Sequence, residues 1–95
     1  MRRPVLPGDV TAVARALLSV PRSQRQALCT AIFCGADKAR RWSDREGRLH
    51  PGWGDGSLSA AARKHVLADE PTLDNPDYLR CLITVLQAVL HRVQR

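Results

Sequence analysis

The sequence predicts an all-α fold, a small four-helix domain with a Gly-rich loop between its second and third helices. Three observations predict it. Apolar residues recur at the helical period in each long segment, and no segment alternates with period two for long enough to make a strand. The breakers fall between those segments, at Pro21, from Gly47 to Gly56, and from Pro71 to Pro76. The 95 residues predict a single domain, 1–95, able to bury one core without a staple. With 44% apolar residues but only four aromatics, that core must be aliphatic.

Residues 1–8 hold two prolines and a glycine and predict an extended N-terminal arm, with Val5 and Leu6 tucked against the body. Asp9 sits where an N-cap or first-turn acid belongs. Val10, Val13, Ala14, Leu17 and Leu18 then give a short amphipathic helix that Pro21 ends. Ser23 and Gln26 have capping-box spacing and open the second helix. Its stripe is Leu28, Ile32, Gly35, Ala39 and Trp42, narrow and rich in small residues, which predicts direct packing against the C-terminal helix. Phe33 lies off the stripe, either reaching the first helix or exposed. Asp37–Arg41 and Asp44–Arg48 have the spacing of helical ion pairs, and Gly47 ends the helix.

The loop His50-Pro51-Gly52-Trp53-Gly54-Asp55-Gly56-Ser57 excludes helix and permits positive φ at several positions. Ser57 or Asp55 caps a third helix whose apolar side is Leu58, Ala61, Ala62 and His65. An acidic linker over 68–75 follows, with Leu73 as its anchor. Asn75-Pro76-Asp77 is an N-cap, N1 and first-turn-acid signal for the last helix. On that helix, roughly 76–93, Tyr78, Leu79, Leu82, Ile83, Val85, Leu86, Val89, Leu90 and Val93 fall within an arc of about 160°. The chain is organised around it, and Leu86 is predicted to be core. An arc so wide needs more than one partner, which raises a homodimer through the C-terminal helix.

The net charge of +6 lies in the first half: residues 1–50 carry ten Arg or Lys against four Asp or Glu, and residues 51–95 five against five. That asymmetry points to an acidic partner, a protein surface or DNA or RNA. Thirteen Arg against two Lys, with twelve Ala, equally fits a GC-rich genome. Lys38, Arg41 and Arg45 line one side of the second helix, read either as a solvated face or as a phosphate-binding ridge. Arg22, Arg25 and Arg48 extend the basic half. No run is apolar enough to span a bilayer, and no apolar signal follows Met1-Arg2-Arg3-Pro4. Cys29, Cys34 and Cys81 are odd in number and lack disulfide or zinc spacing, so the predicted setting is the cytoplasm.

The Gly-rich loop resembles a phosphate cradle only in outline. It lacks the Gly-Lys-Ser/Thr of a P-loop, and Asp55 would repel a phosphate. Trp53 either plugs the end of the bundle or is presented to a partner, while His50, Asp55 and Ser57 serve the loop's own structure. The three histidines and three cysteines have no metal-ligand spacing, and nucleophilic catalysis by Cys34 would need a histidine in contact. A helix-turn-helix reading of the second helix is weak, since its turn holds Pro21 where Gly is usual. No cofactor is expected.

Three stretches carry a resemblance: Arg3-Pro4-Val5-Leu6-Pro7-Gly8-Asp9-Val10, His50 to Leu58, and Asp77-Tyr78-Leu79-Arg80-Cys81-Leu82. On them the chain resembles a family of short uncharacterised alphaproteobacterial proteins. The resemblance covers nearly the whole chain, implies a bacterial, cytoplasmic, stand-alone domain, and carries over no functional residues. The sequence thus predicts a non-enzymatic helical interaction or regulatory module that binds an acidic partner surface. The alternative is a nucleic-acid-associated protein binding phosphates through the basic N-terminal half. The expected contact residues are Arg22, Arg25, Lys38, Arg41, Arg45, Arg48 and Trp53.

Overall fold

The structure, a computed structural model, describes residues 4–94. Four helices, α1 (Pro7–Leu18), α2 (Arg22–Glu46), α3 (Leu58–Ala62) and α4 (Pro76–Gln94), make up the fold. Among the described residues there is no strand, only an isolated bridge between His50 and Gly54.

α1 begins inside the expected arm. Pro7 takes the first helical position, where its fixed φ suits the helix and its missing N–H costs nothing. Asp9 is the first-turn acid, buried, and each of its oxygens is used. One accepts the Leu6 N–H at 2.9 Å and the other the Ser59 N–H at 3.0 Å, which ties α1 to the start of α3. Val5 packs on the core, but Leu6 is exposed. Val10, Ala12, Val13, Ala14, Ala16 and Leu17 are all buried. Alanine on several sides lets three neighbours come close, and α1 touches α2, α3 and α4. The central helix of the fold is therefore α1, not α4.

α2 starts at Arg22 after Pro21, with no side-chain cap. Ser23 already lies within the helix, so the expected Ser23–Gln26 capping box does not form. Gly47 closes α2 at φ 71°, its N–H reaching the Ser43 carbonyl at 2.8 Å. Cys29, Ile32 and Ala36 enter the core. The small-residue side of α2 receives the Gly-rich loop and α3 rather than α4, which α2 meets only sparsely. Asp37 pairs with Arg92 of α4, and Arg48 lies past the helix end, over Trp42.

The 66–75 linker is strapped to α1. Arg15 Nε donates to the Ala68 carbonyl at 2.7 Å, the Ala68 N–H returns to Arg15 at 3.1 Å, and the Ser19 hydroxyl donates to Val66 at 2.9 Å. Leu73, the expected anchor, is exposed, because these polar bonds hold the linker instead. Asn75 accepts the Tyr78 N–H at 3.0 Å, ahead of Pro76 at the first position of α4. Tyr78, Cys81 and Val85 face the core, whereas Leu86, expected there, is 52% exposed.

Candidate interaction surfaces

The loop is built by its own polar groups. His50 and Gly54 exchange backbone hydrogen bonds at 2.9 and 3.0 Å, and His50 Nδ1 accepts the N–H groups of Gly52 and Trp53 at 2.9 and 3.1 Å. Asp55 accepts the Ser57 N–H at 2.9 Å, and the Ser57 hydroxyl caps α3 by accepting Ala60 N–H at 3.1 Å. The Trp53 indole, half-buried, lies on the bare Cα of Gly35, where an added Cβ would fall 2.4 Å from the ring. Lys64 Nζ sits 4.5 Å from the centre of its ring.

The basic residues divide into two groups. Lys38, Arg41 and Arg45 are exposed on the second half of α2, with Arg45 beside Glu46. Arg22 and Arg25 begin α2, and sixteen residues of helix place Arg22 about 24 Å from Lys38. Arg25 is spent on structure: its side chain is mostly buried, donating to the carbonyls of Leu17 and Val20 at the end of α1 at 3.0 and 3.3 Å. Arg22, Arg25 and Arg80 all approach the Asp77 carboxylate, at 3.9, 3.8 and 3.2 Å. With Gln26 and Thr84 the three arginines line a recess of about 240 Å³. Arg80 is not among the contact residues expected from the sequence, although its position three residues after Asp77 is a helical ion-pair spacing.

Beside that recess, a cleft of about 410 Å³ between α2 and α4 is lined by Cys34, Phe33, His91 and Arg92 among others. Phe33 thus faces α4, with the Arg92 guanidinium 5.7 Å from its ring. Arg92 is buried and engages Asp37. Its burial was readable, since Tyr78, Cys81, Val85 and Arg92 follow at helical spacing on one side of α4. Cys34 is exposed; the other two thiols are core. Burial pushes the Cys29 thiol up to about 11 and raises Cys81. Tyr78 is raised by burial and by its hydrogen bond, donated to Glu70 at 3.1 Å.

The remaining surface is apolar. Leu79, Ile83, Leu86, Leu90 and Val93 project from α4 with exposures of 39%, 54%, 52%, 55% and 56%. They occupy an arc of about 80°, turned away from the buried side of the same helix. No helix among the described residues is long and apolar enough to cross a membrane.

Fold and surfaces together define a small all-helical domain with a core around α1 and an exposed apolar face on α4. The chain belongs to the family described as a domain of unknown function, DUF7742, whose model matches residues 3–89. No curated protein and no solved structure matches it.

Proposed function

We propose that this chain is a small helical interaction or regulatory module without catalysis, working in a bacterial, alphaproteobacterial, cytoplasm and binding a partner with an acidic surface. The observation that carries the reading is the row of Leu79, Ile83, Leu86, Leu90 and Val93 left exposed on a well-anchored helix. Contiguous apolar patches of this kind mark interaction sites. The exposed Lys38, Arg41 and Arg45 favour acid in the partner. Cys34 and His91 line one cleft, yet no hydrogen bond joins thiol to imidazole among the described residues, and Asp37 engages Arg92.

Cross-linking with mass spectrometry on the full chain tests the reading. Association, with another protein or with a second copy, is expected to be lost in Ile83→Gln with Leu90→Gln. Capture of an acidic partner should weaken at least tenfold when Lys38, Arg41 and Arg45 become Gln. Associations unchanged by either set would overturn the reading.

The recess of Arg22, Arg25 and Arg80 at the uncapped start of α2 favours a second reading, phosphate contact with DNA or RNA. Fluorescence anisotropy with labelled duplex and single strands decides it. Binding should fall steeply with salt and weaken in Arg22→Gln with Arg80→Gln. No binding at low salt would remove it.

A further inference from the structure

The exposed face of α4 has a spacing as well as a composition. Leu79, Ile83, Leu86, Leu90 and Val93 are separated by four, three, four and three residues. This is the seam of a heptad repeat, whose natural cover is another helix carrying the same repeat. Among the described residues the chain offers that seam once, exposed and about 21 Å long. The geometry points to a second copy of this chain as its occupant, the two α4 helices pairing antiparallel about a two-fold axis beside Leu86. The inference rests on the reading of this face as a docking surface and names what docks.

Charge and area both favour a copy. Each chain carries a net charge of +6, so two copies repel unless they meet where charge is low. The seam carries none, and the positions flanking it on one side are Arg80, Gln87 and Gln94, with half-buried Leu82 and Val89 on the other. Arg80 is drawn to Asp77 of its own helix. A parallel pairing would bring the two clusters of Arg22, Arg25 and Arg80 side by side. The antiparallel one sets them at opposite ends, and opposes the helix dipoles. Five side chains exposed as these are offer on the order of 500 Å² of apolar surface per copy, and a two-fold contact doubles it to about the 1,000 Å² that a specific interface needs. A two-fold contact is self-complementary by construction, so with the axis beside Leu86, Ile83 meets Leu90 of the other copy and Leu90 meets its Ile83.

Sedimentation velocity on the full chain is the test. A dimer is expected at micromolar concentration, strengthened by added salt because the seam is apolar and the copies repel. Leu86→Gln with Leu90→Gln, and separately Ile83→Gln with Val93→Gln, should sediment as monomers with unchanged helical circular dichroism. Orientation is read in a Cys34→Ser background. Gln87→Cys should cross-link to itself, and Arg80→Cys should link to Gln94→Cys but not to itself. A wild-type chain that stays monomeric to high micromolar concentration overturns the dimer. If such a monomer still loses a stoichiometric partner when the seam is changed, the docking reading stands and only the second copy is wrong. Self-linking of Arg80→Cys overturns the antiparallel order. A dimer that survives both seam pairs overturns the seam.

Discussion

Two glycines show how much a single hydrogen can decide. Gly35 lies mid-helix in α2, where Gly is intrinsically about 1 kcal/mol worse than Ala, yet its Cβ site is filled by the Trp53 ring at 2.4 Å. Gly8, in the first turn of α1, has nothing within 4 Å of its Cβ site. Gly35→Ala is therefore expected to destabilise by about 1–3 kcal/mol, as overpacking does, while Gly8→Ala should be neutral or slightly stabilising. Urea titration of the pair checks this. Equal effects would mean that the indole does not need the bare backbone. The need for a small residue at position 35 was legible from its place in the apolar stripe. Its neighbour was not, because spacing along one helix says that something comes close without saying what.

At the scale of the element, the two long apolar patterns carry unequal weight. α1 is only twelve residues, but Leu17 is fully buried among three helices. Leu17→Ala should cost about 2–5 kcal/mol. Leu86→Ala, at a half-exposed position on α4, should cost under about 1 kcal/mol in the isolated chain. Thermal unfolding at a dilution that keeps copies apart distinguishes them, and a larger loss at Leu86 would contradict the arrangement. The helices themselves, the Gly47 stop and the Asn75-Pro76 start were all legible, because each rests on a local rule of capping or periodicity. The hub was not. The sequence ranks α4 first because its apolar residues are large, whereas a central helix needs small ones on every side, and Ala12, Ala14 and Ala16 read as ordinary helix formers.

Across the whole molecule, three acidic protons sit in one core, on Cys29 of α2 and on Tyr78 and Cys81 of α4, and burial is the first cause that raises each of them. The candidate surfaces were only half legible for a related reason. Exposure and convergence, such as the meeting of Arg22, Arg25 and Arg80 from two helices, are properties of the assembled chain. The raised thiols make the assembly measurable. A folded Cys29 that holds its proton to about 11, against an ordinary 9.0, binds more protons than the unfolded chain between those values. Stability is then fully present below pH 9 and falls as pH rises through about 11, by up to about 3 kcal/mol from this group. Urea midpoints from pH 8 to 11 should fall steadily, and less steeply in Cys29→Ala, whose lost volume is a pH-independent offset. Parallel curves for the two proteins would show that this thiol is not held in the core at all.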